Sequence, residues 1–171
     1  MGRRGGVAGL LALLLVLGPS RATPEPAPAP EAIAVIVSGK WIGMEVVSLA
    51  TLRRLYLGRI GTLAGRRVER FHLRSGSRLR EGFSQSVMGK PEAALAEYWL
   101  EQALTGGPVP PRELASPEAV IEQVREHPGS IGYVGQRTLG AADPPCLRVV
   151  RIGRGSQATR PGESGYPIHE R

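Results

Sequence analysis

Ile33-Ala34-Val35-Ile36-Val37 is an unbroken apolar run, largely β-branched, and it limits the fold more than any other stretch of the chain. It is too short for a self-sufficient helix, so it predicts a buried strand. Helical spacing follows it. Ser48 is placed to cap a helix carrying Leu49, Leu52, Leu55 and Tyr56, with Gly58 as the stop. Arg67 to Leu73 alternates imperfectly and predicts a strand. Ser77 then opens a helix with Leu79, Phe83 and Val87, stopped by Gly89. Pro91 starts another, with Leu95, Tyr98, Trp99 and Leu104 on one expected apolar face. Ser116-Pro117-Glu118 combines a cap, an N1 proline and an acid in the first turn; that helix presents Val120, Ile121 and Val124 and stops at His127-Pro128-Gly129. Ser130 to Val134 reads as a strand, and Leu147 to Ile152 as the last one. Strands alternating with helices predict an α/β domain with helices packed on a central sheet. The long helical connections require parallel pairing of some strands.

The two ends differ from this middle. Arg3 and Arg4 precede an uncharged, Leu-rich run from Val7 to Leu17; Gly18-Pro19 breaks it, and Ser20-Arg21-Ala22 sets small residues at −3 and −1 of a cut after Ala22. That is the layout of a cleavable signal peptide, residues 1–22, which predicts a periplasmic or secreted protein. The run is shorter than the 20 or so apolar residues of a membrane span, so no stable span is expected after cleavage. Residues 23–32, beginning TPEPAPAP, read as an extended Pro/Ala-rich linker. Residues 153–171 are rich in Gly, Ser, Pro and Arg and read as a disordered tail, which leaves 33–152 for the folded domain.

The formal charge of +7 is concentrated at these ends. Without the signal arginines and the Arg-rich end the domain is close to neutral, which argues against nucleic acid as a partner. Cys146 is the lone cysteine and forms no internal disulfide. His72, His127, Cys146 and His169 show no metal-ligand spacing, and no cofactor is expected. There is no nucleophile–base pair, so no enzyme is predicted.

Ile33–Val37 followed by Leu52-Arg53-Arg54-Leu55-Tyr56-Leu57-Gly58-Arg59 resembles the strand and the helix ending in IFLG-K/R of periplasmic phosphate-binding proteins, the soluble receptors of phosphate ABC transporters. Phe71-His72-Leu73-Arg74-Ser75-Gly76-Ser77 resembles the strand and Arg-containing Gly-Ser phosphate loop, and Phe83 stands where that family has an aromatic. Tyr98-Trp99 with Leu104-Thr105-Gly106 resembles a YW…FTG stretch, and Pro128-Gly129-Ser130-Ile131-Gly132-Tyr133-Val134 a PGAIGYV stretch. The match covers about Ile33 to Val134. It implies one lobe of the type 2 periplasmic-binding-protein fold, a central mixed sheet flanked by helices, where a full receptor has two.

The resemblance implies a site for phosphate or a similar small oxyanion on Arg74, Ser75, Gly76, Ser77 and Arg78. A strand end, a Ser-Gly-Ser turn and a helix start present backbone N–H groups toward one point, Arg74 adds a planar donor pair, and Gly76 allows close approach. The family loop reads roughly R-x-D-G-S-G-T. Here no Asp lies between Arg74 and Gly76, one residue is deleted, and Arg78-Leu79-Arg80 follows Ser77. Arg78 and Arg80 either strengthen the anion site or lie on a solvated helix face. Ser77 and Gly76 also have a purely structural account, as N-cap and turn residue. The partners expected are a small oxyanion and an envelope protein or transporter component, with the oligomeric state open. The alternative is a single-lobe interaction module of the cell envelope without effective ligand binding.

Overall fold

The computed structural model describes residue 2 and residues 30–41, 43–142, 146–154 and 157–170. Apart from residue 2, the expected signal segment lies outside them, as does the spacer up to residue 29. Glu31 and Ala32, assigned to the linker, are already part of the fold: the Glu31 carboxylate pairs with Arg137 at 3.0 Å, and Ala32 bridges His169. No helix among the described residues is long and apolar enough to cross a membrane.

The elements, in chain order, are β1 (Ile33–Ser38), β2 (Val46–Ser48), α1 (Leu49–Tyr56), β3 (Thr62–Leu63), β4 (Arg66–Arg67), β5 (Glu69–Leu73), α2 (Arg78–Phe83), a π-helical turn (Ser84–Met88), α3 (Glu92–Leu104), β6 (Arg112–Leu114), α4 (Pro117–Glu126), β7 (Ser130–Gly135), α5 (Gln136–Ala142), β8 (Leu147–Val149), β9 (Arg151–Arg154) and β10 (Gln157–Thr159). Five strands form the central sheet in the order β6-β5-β7-β1-β8. β5 is parallel to both β6 and β7, as the helical connections between them require. β1 runs antiparallel between β7 and β8, with Ile33 opposite Gly135 and Ile36 opposite Val149. The sheet is therefore mixed.

β1 and β7 are buried at every position, which is why both are apolar without alternation. α4 packs over β7 and β1 and brings Val120, Ile121 and Val124 into the core with Phe71, Ile131 and Tyr133. Its start follows from the sequence: Pro117 occupies the first turn, and Ser116 Oγ accepts the Ala119 N–H at 3.2 Å. α1 is capped in the same way, with Ser48 Oγ accepting the Thr51 N–H at 3.0 Å.

Four sequence expectations are corrected. The segment after residue 152 is not a disordered tail. β9 and β10 pair with β2 in a second, three-stranded sheet. Tyr166 and Ile168 are buried, the Tyr166 hydroxyl donates to the Ile33 carbonyl at 2.6 Å, and the Ile33 N–H donates to the Ile168 carbonyl at 3.0 Å. α2 rests on this segment so closely that a Cβ at Gly82 would lie 2.1 Å from the His169 carbonyl oxygen. Two apolar side chains among polar neighbours suffice here because they fill space beside β1. Second, Leu147 to Ile152 is two strands: at Val150 the chain leaves the central sheet for the second one. Third, α3 buries only Leu95 fully; Tyr98 and Trp99 are half-buried and Leu104 is 79% exposed, because the last turn carries no covering element. Fourth, Arg67 does not begin the strand that ends at Leu73 but belongs to a hairpin before it, β3–β4, closed by Ala64 and Gly65.

Candidate functional site

β5 ends at Leu73, and its last backbone pairing is made one residue later, where the Arg74 N–H donates to the Leu114 carbonyl at 2.9 Å. Ser75 and Gly76 make the turn, Gly76 with φ of 87°, which a residue with a Cβ rarely adopts. Ser77 is the N-cap of α2, its Oγ accepting the Arg80 N–H at 3.1 Å and its carbonyl accepting from Glu81. The expected helix through Val87 begins as α2 and finishes as the π-helical turn, which Gly89 closes at φ of 72°.

The structure thus sets Arg74, Ser75, Gly76, Ser77 and Arg78 on one turn at the carboxyl end of a parallel strand. Arg74, Ser75, Gly76 and Arg78 are exposed, and Ser77 is half-buried. Among the described residues the N–H groups of Ser75, Gly76 and Ser77 have no hydrogen-bond acceptor.

Arg80 departs from both sequence readings. It is neither on a solvated face nor part of the exposed turn. Its side chain is 8% exposed; Nε donates to Glu92 at 2.9 Å, and one terminal nitrogen donates to the Leu73 carbonyl at 2.6 Å and to Glu113 at 3.1 Å. Ser84 Oγ also donates to Glu92. Arg80 therefore ties β5, α3 and β6 together beneath the turn, and two carboxylates offset its charge. What remains to attract an anion is Arg74, Arg78 and the backbone.

Behind the turn lies an aromatic cluster. Tyr133 stacks on Phe83 with centroids 3.8 Å apart, and Tyr56 meets Phe83 edge-on at 4.6 Å. The Tyr133 hydroxyl accepts the Leu73 N–H at 3.2 Å and contacts His72 Nδ1. The other ring nitrogen, Nε2, is buried and has no hydrogen-bond partner among the described residues. Burial, aided by the nearby Arg80 charge, holds the imidazole well below its ordinary pKa. Burial also pushes the Tyr133 phenol well up. Both groups stay neutral and act as a rigid support for the end of β5. Tyr56 does the same from α1, donating to the Phe71 carbonyl at 3.1 Å.

Trp41, in the loop after β1, is fully buried. Arg53, Arg54, Arg66 and Arg67 lie on exposed surface, although Arg53 Nε reaches the Val87 carbonyl at 2.7 Å. Among the described residues no group of three or more His, Cys, Asp or Glu side chains is placed to hold a metal ion.

Neither a protein-family model nor a curated protein matches the chain. Solved structures do. PstS from Borrelia burgdorferi superposes with a TM-score of 0.63 at 17% identity, covering 82% of this chain and 55% of that one. A possible phosphate binding protein from Planctomyces limnophilus gives 0.61 at 13% identity, covering 82% and 51%. A putative phosphate ABC transporter substrate-binding protein from Clostridium perfringens, solved with bound phosphate, gives 0.57 at 16% identity, covering 72% and 45%. The fold of this chain is that of one lobe of a periplasmic-binding-protein-like structure, and the chain spans about half the length of the proteins it matches.

Proposed function

We propose that this chain is an exported, single-lobe binding domain that holds phosphate or a similar small oxyanion on the turn from Arg74 to Arg78 and performs no covalent chemistry. The observation that carries this reading is the set of unclaimed N–H groups of Ser75, Gly76 and Ser77 on a turn that also carries the exposed Arg74. Oriented amides and a planar cation suit a tetrahedral oxyanion. The fold likeness to proteins described as phosphate-binding supports the same ligand class.

The site is weak by construction. Arg80 is neutralised by Glu92 and Glu113, and one open lobe leaves the anion partly hydrated. Affinity of order 0.1–10 mM follows. Titration of the exported protein with phosphate and sulfate at low salt tests this, and Arg74→Ala should weaken binding roughly ten- to a hundredfold. Intact mass of the same preparation tests export; cleavage after Ala22 starts the chain at Thr23.

A second reading has its own observation. Leu100, Leu104 and Val109 are 62%, 79% and 71% exposed, at the end of α3 and in the loop that follows. Such a patch suits an interaction module that docks on an envelope protein or transporter component. If no common oxyanion binds at millimolar concentration, this reading replaces the first.

A further inference from the structure

The opposite edge of the central sheet holds a second concave surface, unrelated to the Arg74 turn. Strand parity builds its floor. Val149 is the partner of Ile36 and Leu147 the partner of Ser38, so both point to the face of the sheet that carries Ala34. β8 is the edge strand, and nothing in the sheet lies beyond it. α5 and the segment at Arg160 complete the lining. The result is an open groove of about 500 Å³ lined by Ala34, Leu139, Leu147 and Val149, with Arg160 on its rim. Its size falls in the range of small-molecule sites.

The groove runs into a smaller hollow of about 330 Å³ that shares Val149 and Arg160 and adds Arg148, Arg151 and Glu45. Glu45 is 3.4 Å from Arg148. Among the described residues the Arg160 guanidinium has no carboxylate partner, while its backbone N–H donates to the Glu163 carboxylate at 2.8 Å and its carbonyl accepts the Glu163 N–H at 3.1 Å. The apolar groove therefore borders, through Val149 and Arg160, a hollow lined by three arginines and one carboxylate, and of the three only Arg160 lines the groove itself. A neutral apolar ligand leaves those charges unused, and a bare anion leaves the floor wet. One chemistry uses both.

We propose that this groove binds a small amphiphilic anion, with a carboxylate or phosphate head on Arg160 and a short hydrocarbon chain over Leu139, Leu147 and Val149. β7 and β1 separate β8 from β5, so this site and the Arg74 turn stand or fall independently.

The test is a titration of the exported protein, followed by amide chemical shifts. The probes are propionate, butyrate, hexanoate, hexyl phosphate, hexylammonium and inorganic phosphate. Hexanoate and hexyl phosphate should shift Leu139, Leu147, Val149 and Arg160, and the stronger of the two identifies the head group. Each methylene from propionate to hexanoate should tighten binding about threefold. Arg160→Gln should weaken hexanoate roughly tenfold or more. Val149→Glu changes a partly exposed side chain and should abolish it, while Arg74→Ala leaves it unchanged. The proposal is overturned if hexylammonium binds as well as hexanoate. It is also overturned if affinity is independent of chain length, if inorganic phosphate alone gives the same shifts at the same affinity, or if the shifts track protein concentration and so report self-association through β8.

Discussion

Arg80 Nε and the Glu92 carboxylate lie 2.9 Å apart beneath the turn that follows β5, in a pair whose arginine is almost wholly buried. The guanidinium also holds the Leu73 carbonyl, the last residue of β5. Arg80→Ala should therefore lower the unfolding free energy by roughly 3–5 kcal/mol, since it strands a carboxylate and a carbonyl together. Glu92→Gln keeps an acceptor for Nε and should cost about 1–2 kcal/mol. Urea denaturation of the two variants checks the order. Equal, small losses would mean that the pair is solvated.

The Tyr166 and Ile168 anchorage predicts that truncation after Thr159 destabilises the domain. Two buried side chains and the hydrogen bonds to Ile33 are lost, about 1.5–3 kcal/mol for each side chain. Tyr166→Phe alone removes only the bond to the Ile33 carbonyl and should cost about 1 kcal/mol. Thermal melts of both should fall, the truncation by far the more. An unchanged melt after truncation would show the segment to be dispensable.

His72 predicts a dependence of stability on pH with a definite sign. The folded chain keeps the ring neutral well below its ordinary value of 6.5, whereas the unfolded chain protonates near that value. Below about pH 6.5 the unfolded state therefore binds more protons. Stability should be flat above that pH and fall by up to about 1.4 kcal/mol per unit as pH drops toward the lowered folded value. His72→Gln has nothing to titrate and should lose this slope. Denaturation midpoints between pH 7.5 and 5.5 read it, and an identical slope in the variant would assign the effect to other groups.

Ser77 separates structure from binding. Its Oγ caps α2 through the Arg80 N–H, so Ser77→Ala should cost about 1 kcal/mol of stability whether or not an anion binds. Its effect on oxyanion affinity should be smaller than that of Arg74→Ala, which touches no structural bond among the described residues. Calorimetry and melts on the two variants should show opposite rankings.

Much of this architecture is legible in the chain. The unalternating runs at Ile33 and Ser130 mark two central strands, and Ser48, Ser77 and Ser116 mark three helix starts, because capping is local chemistry. What is not legible depends on partners far away. The β3–β4 turn puts Ala64 at φ of 47°, where Asn or Gly would have announced a hairpin. β6 is three residues following Pro110 and Pro111, and it exists because β5 lies beside it. Arg80 looks like a surface residue of a short helix; its carboxylates are 12 and 33 positions on. The turn itself is legible in Ser75-Gly76-Ser77, while the charge balance beneath it depends on those distant carboxylates.

The placement of β1 also sets an order of events. It is the earliest strand along the described chain, yet its strand partners are β7 and β8, and its first residue is held by Ile168 and Tyr166. No strand from β2 to β6 pairs with it. A chain delivered from its amino end therefore shows its most apolar segment first and must wait for nearly everything else before that segment is sheltered. Closing contacts over so long a separation is slow. Assembly of the central sheet consequently waits until synthesis is almost complete.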